Sequence, residues 1–307
     1  MRSLVGLVML LTLLPAGAEF GGDLDELLER GRGATYSAEQ VISCSTPDGD
    51  RDALVRIDQV GGELRLTTSV GGDVEVVSGA GDWTLTRSNG QVVRSTVDGS
   101  EDEVEPLYNV EEEGEVEYLG RTAMAYLLVR EEVPRAELVI DEETGTVVHA
   151  VTFTIDNEIY CERRFLSLDT DAPVIENEGV EETESIPPTR VETSDLPESV
   201  TGFELLDEYE DQDGVRFAYY SDGFFSFAVF ETPMPVAVPE ALPVEFDSGA
   251  YGRVFTAGQV TYVWETREAG MALVGDLPPD LHEAVLAAMP HPEDPGLFRR
   301  WWRALFG

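Results

Sequence analysis

Cys44 and Cys161 are the two cysteines of this chain, and each follows an isoleucine by two residues (Ile42 and Ile159). Residues two apart on a strand share a face, so each thiol stands beside an apolar neighbour. In an exported chain two cysteines pair as a disulfide; two unpaired buried thiols are the alternative. The bond would join the first and last strands of a domain, with Cα atoms about 4.4–6.8 Å apart. Closing so long a loop contributes about 4–5 kcal/mol in the chain-entropy model. The histidines are His149, His282 and His291. His149 has the parity of Val147, Val151, Phe153 and Ile155, which makes it a core or cavity residue rather than a general base. His282 is expected on a surface helix and His291 in a proline-flanked tail. No HExxH, GxSxG, P-loop, GxGxxG or EF-hand pattern occurs, so metalloprotease, α/β-hydrolase and nucleotide chemistry have no support. The acidic runs at Glu111–Glu113 and Glu181–Glu182 read as solvated surface rather than dedicated Ca²⁺ loops. No catalytic residue, metal ligand or cofactor is expected.

The cationic cluster lies at the C-terminus, Leu297–Gly307 (LFRRWWRALFG). On a helical wheel Arg299, Arg300 and Arg303 share one arc, with Trp301, Trp302 and the apolar residues on the other. That pattern suits a helix lying in a membrane interface; a helix docked on its own domain is the alternative. Elsewhere acid dominates. Lys+Arg number 20 against 61 Asp+Glu, a net charge of −41, and every one of the 20 is arginine. Such a chain repels phosphate backbones, so nucleic acid is excluded as a partner. The acidity fits a salt-adapted source, with steering toward a basic partner as the alternative.

The elements around these residues begin with a targeting segment, residues 1–18. Arg2 supplies a positive start, Leu4–Leu14 an apolar run, and Ala16-Gly17-Ala18 a small-residue cleavage site. The run is short for a membrane span, although an uncleaved anchor stays open. Asp23–Arg32 reads as an amphipathic helix with Leu24, Leu27 and Leu28 on its buried stripe. From Ala38 the pattern turns to short alternating strands, divided by turns such as Gly61-Gly62, Gly71-Gly72 and Asn89-Gly90. Ser100–Glu113 breaks the rhythm and is expected as a short helix or loop over one sheet face. Strands resume and continue to Leu168. Residues 169–195 form an acidic, proline-containing linker unable to bury enough surface to order itself. The domains so defined are 19–168 and 196–289, with 290–307 as the tail.

The second domain opens on GFELLDEYEDQDGVRFAYYSDGFFSFAVFETP, Gly202–Pro233. Turns at Asp213-Gly214 and Ser221-Asp222-Gly223 divide three strands, and Phe224–Phe230 is apolar on both faces, so it demands cover on both. The YSDG turn, the strand ending VFETP, the preceding LPESVTGFELL and the later ALVGDLP (Ala272–Pro278) resemble the C-terminal domain of MucB/RseB-type sigma-factor regulatory proteins. The upstream meander, with TGTVVHAVTFT at Thr144–Thr154, is similar to the LolA/LolB lipoprotein-carrier fold. The fold class is therefore mainly β (α+β): a half-open antiparallel β-barrel with a helical lid, then a smaller antiparallel-sheet domain with a helix. The resemblance implies an exported, non-enzymatic regulator outside the cytoplasm. Its second domain would engage the extracytoplasmic part of an anti-sigma factor, with Tyr219, Tyr220, Asp222 and Phe224 as the contact surface. Its first domain would offer an apolar cavity to a lipid or acyl chain, and the tail would touch the membrane surface. A lipid or lipoprotein carrier is the alternative function.

Overall fold

The computed structural model describes residues 20, 22–61, 63–68, 74–79, 82–87, 92–96, 107–171, 189–191, 195–211, 214–233, 241–256 and 258–293. The chain divides into two units, Gly17–Pro187 and Pro188–Gly307.

The first unit begins with α1 (Gly22–Arg32) and continues as β1 (Thr35–Thr46), β2 (Gly49–Val60), β3 (Glu63–Thr68), β4 (Val74–Gly79), β5 (Asp82–Arg87) and β6 (Val92–Thr96). The second run is β7 (Asn109–Tyr118), β8 (Arg121–Arg130), β9 (Val133–Asp141), β10 (Val147–Phe153) and β11 (Ile159–Asp169). These strands form one antiparallel sheet in the order β6-β5-β4-β3-β2-β1-β11-β10-β9-β8-β7. Two meanders thus meet at the β1–β11 seam, and the end strands β6 and β7 do not pair. The sheet is open but strongly curled. Tyr118, on edge strand β7, stacks on His149 of β10 at 5.7 Å and donates to the Phe165 carbonyl of β11 at 3.1 Å. In a flat sheet β7 and β11 would stand about 19 Å apart, four strand spacings, far beyond a tyrosine's reach.

Asn109–Glu113 is strand, not the lid expected for Ser100–Glu113; residues 100–106 of that segment lie outside the described residues. Five glutamates (Glu111, Glu112, Glu113, Glu115, Glu117) stand exposed along β7. An edge strand wet on both faces needs no apolar alternation, which removes the sequence signal, and its charges discourage edge-to-edge pairing.

The second unit comprises β12 (Thr189–Arg190), β13 (Ser199–Val200), β14 (Phe203–Glu210), β15 (Arg216–Ser221), β16 (Ser226–Thr232), β17 (Leu242–Phe246), β18 (Gly249–Thr256), β19 (Gln259–Glu265), β20 (Gly270–Gly275) and α2 (Pro279–Ala288). The sheet order is β12-β14-β15-β16-β20-β19-β18-β17, with β13 also on β14. Strand β16 is buried at six of its seven positions, as its two apolar faces require. One face packs Ala228, Phe230, Val263, Ala272 and Val274 together. The other carries Tyr220 on Phe227 at 4.8 Å and receives α2 through a bond between Tyr262 and His282.

Two expectations change here. The linker's far end, Thr189–Arg190, is strand, because the open edge of β14 offers unpaired backbone and Arg190 meets Asp207 at 3.1 Å. The sequence reads as a proline-rich crossing over Pro233–Pro243, but its end is strand β17, where Pro243 is tolerated because the strand lies at the sheet edge.

Candidate functional site

The β1–β11 seam carries the disulfide. Cys44 and Cys161 are bonded and are direct cross-strand partners, with Cα atoms 4.0 Å apart. That is shorter than the expected span of about 4.4–6.8 Å, the two cysteines being a directly facing antiparallel pair. Neither cysteine is free, and both are buried.

At the opposite end of the sheet, α1 is clamped to the β9–β10 turn. Leu24, Leu27 and Leu28 are its buried residues, the stripe its spacing foretells. Gln59 of β2 donates to the carbonyls of Gly31 (2.6 Å) and Arg32 (3.0 Å), satisfying acceptors that the helix end leaves open. Arg30 donates to the Glu142 carbonyl. Gly31 and Gly145 meet backbone to backbone: a Cβ on Gly145 would strike the Leu27 carbonyl, and one on Gly31 the Gly145 carbonyl.

The turn itself is organised by Asp141, whose side chain is 2% exposed. It accepts from Arg121 at 2.6 and 3.2 Å and from the Thr144 backbone N–H (2.8 Å) and hydroxyl (2.7 Å). Burial pushes this carboxyl up, but the Arg121 and Thr144 bonds outweigh burial and hold it below the usual carboxylate range. Arg121 also reaches Glu143 at 2.7 Å.

His149 is half-buried on the curled face. Tyr118 stacks on its ring, and its Nε2 lies 3.0 Å from Glu162 Oε1. Burial raises the Tyr118 phenol, and the Glu162 charge adds to the rise while Arg164 opposes it. His149 is therefore a residue of the curl, polar on one side and aromatic on the other. Among the described residues no group of three or more His, Cys, Asp and Glu is placed to hold a metal ion.

No protein-family model matches the chain, and no curated protein matches it. Solved structures do. The complex of MucA and MucB from Pseudomonas aeruginosa matches with a TM-score of 0.55 at 20% identity, covering 89% of this chain and 100% of that one. The fold is that of MucB. MucB alone matches at 0.54 and 21% identity over 88% of this chain and 96% of that chain. MucB in complex with MucA(peri) matches at 0.51 and 19% identity, with 89% and 100% covered. Coverage of that extent includes both units, so the MucB likeness is a likeness of the whole two-unit chain.

Within this MucB fold the YSDG motif is built inward. Tyr220, Asp222 and Phe224 are buried and Tyr219 is half-buried, so the set Tyr219, Tyr220, Asp222 and Phe224 does not form the exposed contact surface expected of it. Asp222 Oδ1 accepts from the N–H groups of Phe224 (3.0 Å) and Phe225 (2.8 Å). Ser221 takes the Gly223 N–H, and Tyr220 donates to the Pro197 carbonyl. Gly223 sits at φ +92°, a conformation that favours glycine. A buried hairpin end must satisfy its own backbone, and here the side chains of Ser221 and Asp222 do so. Burial pushes the Tyr219 phenol up to about 12, in keeping with a core role. The tail residues Arg299, Arg300, Trp301, Trp302 and Arg303, and the segment 1–18, lie outside the described residues.

His282 also departs from expectation. It is buried in the second unit, not on a helix surface, with a partner at each ring nitrogen. A sign existed in the sequence: Leu281 and His282 precede Val285 and Leu286 by helical spacing, so His282 falls on the apolar stripe.

Proposed function

We propose that this chain is an exported regulatory binding protein whose partner is the extracytoplasmic portion of a membrane-bound anti-sigma factor. The observation that supports this reading is the MucB fold extending through both units, in structures where MucB is held with MucA. The buried disulfide suits an oxidising compartment outside the cytoplasm, as does the targeting segment at residues 1–18. The work is binding, not catalysis: the polar clusters around Asp141 and Asp222 use their bonds to hold turns, through Arg121 and Thr144 in one case and the Phe224 and Phe225 backbone in the other. The test mixes the full exported chain with the purified extracytoplasmic segment of a single-span anti-sigma factor from the same genome. Calorimetry and size exclusion are expected to show a stoichiometric complex, and the segment should resist proteolysis while bound. Absence of a complex at tens of micromolar protein overturns the reading.

The alternative, a lipid or lipoprotein carrier, draws on the curl of the first sheet. It predicts acyl ligand in native mass spectra of protein taken from its own envelope, without need of a peptide partner. The tail Leu297–Gly307 is proposed to add membrane contact, each arginine near an anionic surface contributing about 1 kcal/mol. Full chain should co-sediment with anionic vesicles and much less with neutral ones, while a chain ending at Pro295 should do neither. Equal binding by both chains places the tail on its own domain instead.

A further inference from the structure

We propose that His282 is an acid-sensitive latch that holds α2 on the second sheet and releases it when the imidazole gains a proton. The geometry fixes the protonation state. His282 Nε2 lies 2.8 Å from the Leu277 carbonyl, which can only accept, so Nε2 carries the hydrogen. Nδ1 lies 2.8 Å from the Tyr262 hydroxyl and accepts from it. The ring is thus a neutral relay between β19 and the chain entering α2. Aromatic rings enclose it: Tyr262 stands edge-on at 5.4 Å and Phe255 tilted at 6.2 Å.

A second proton is costly here. It would lie at Nδ1, turning an acceptor into a donor aimed at Tyr262, whose hydroxyl would have to turn its own hydrogen away from the ring to accept it. The resulting cation would be 2% exposed. Of the charges that act on it, Arg253 of β18 opposes the cation, and Asp280 in the first turn of α2 favours it; Glu283, next in the helix, is exposed to solvent. The Arg253 guanidinium sits over the Phe255 ring at 5.2 Å, on the same side of the site.

Burial holds the imidazole down at about 4, with the Arg253 charge adding to the depression and the Leu277 and Asp280 contacts working against it. A histidine freed into water returns to about 6.5. The docked value is the lower one, so docking is at full strength above about pH 6.5 and weakens as pH falls from there toward 4. Between pH 7.5 and pH 5 the two values give a roughly thirty-fold rise in the opening constant of α2. Opening exposes Tyr262, Val285 and Leu286, an apolar surface hidden at neutral pH.

The measurement is hydrogen exchange of Pro279–Met289 in the full chain at pH 7.5 and pH 5, corrected for intrinsic rates and normalised to β8–β9. The wild-type chain should lose roughly thirty-fold protection in that peptide. His282→Gln keeps a donor toward Leu277 and cannot titrate, so its protection should be equal at both values. Protection independent of pH in the wild type, or an unchanged pH response in the variant, overturns the latch. If the variant does not fold, the imidazole resonance of His282 in the wild-type chain decides. Its titration midpoint should lie near 4, at the lower end of the range over which α2 loses protection; titration near 6.5 with α2 still protected overturns the proposal.

Discussion

Replacing Cys44 and Cys161 with alanine lowers the stability of the first unit by about 4–5 kcal/mol. The size follows from the 117 residues separating the two cysteines, since closing a longer loop removes more freedom from the unfolded chain. Both side chains are buried at the β1–β11 seam, so lost packing adds to the effect. Among the described strands the two meanders pair with each other at this seam, and the disulfide is the cross-link that ties them there. Urea unfolding of oxidised wild type and the double variant, followed by circular dichroism, measures the difference. Titration of denatured, unreduced wild type should find no free thiol. A loss under about 1 kcal/mol would show that the unfolded chain already keeps the two segments together.

Gly145→Ala is expected to cost about 3–5 kcal/mol, chiefly by lifting α1 from the sheet. The new methyl would strike the Leu27 carbonyl, and backbone atoms cannot rotate aside as a side chain can. Once α1 moves, Leu24, Leu27 and Leu28 lose their cover, each worth about 1.5–3 kcal/mol when fully buried. Backbone conformation alone does not explain such a loss, and the structure supplies the control. Gly120 has the same φ of +72° as Gly145, but open space where a Cβ would stand. Gly120→Ala should therefore cost only about 1–2 kcal/mol, the left-handed penalty by itself. Thermal unfolding of both variants separates the two contributions. Equal losses would mean that α1 accommodates the methyl and the clamp is loose.

Much of this architecture is legible in the sequence because its signals are local. The leucine stripe of α1, the glycine turns of the meander and the doubly apolar β16 each need only neighbouring residues to specify them. The disulfide was legible because exported chains leave few cysteines to pair. What escaped depends on contacts far along the chain. β7 carries glutamate on both faces, and only its place at the sheet edge makes it a strand. Gly145 reads as an ordinary turn glycine until Gly31, on a helix more than a hundred residues earlier, is seen against it. Asp222 reads as a recognition residue because its motif is exposed in a list of letters but buried in the fold. His282 reads as a surface residue only if α2 is wet all round, whereas its helical spacing puts the ring on the packed stripe.

The register of the seam also determines how the first unit answers force. β1 and β11 are antiparallel, and the outer end of their ladder pairs Ser37 with Asp169, where both strands leave toward the ends of the unit. Tension applied between those ends therefore acts as a zipper, loading one backbone pair at a time rather than shearing all together. The tear would run inward past Gln40–Phe165 and Ile42–Arg163 until it met Cys44–Cys161, the eighth pair along β1. There it must stop, because the next element to part is a covalent bond. A first unit stretched between its ends would yield over that short length and then hold, with β2 to β6 and β7 to β10 still folded on either side.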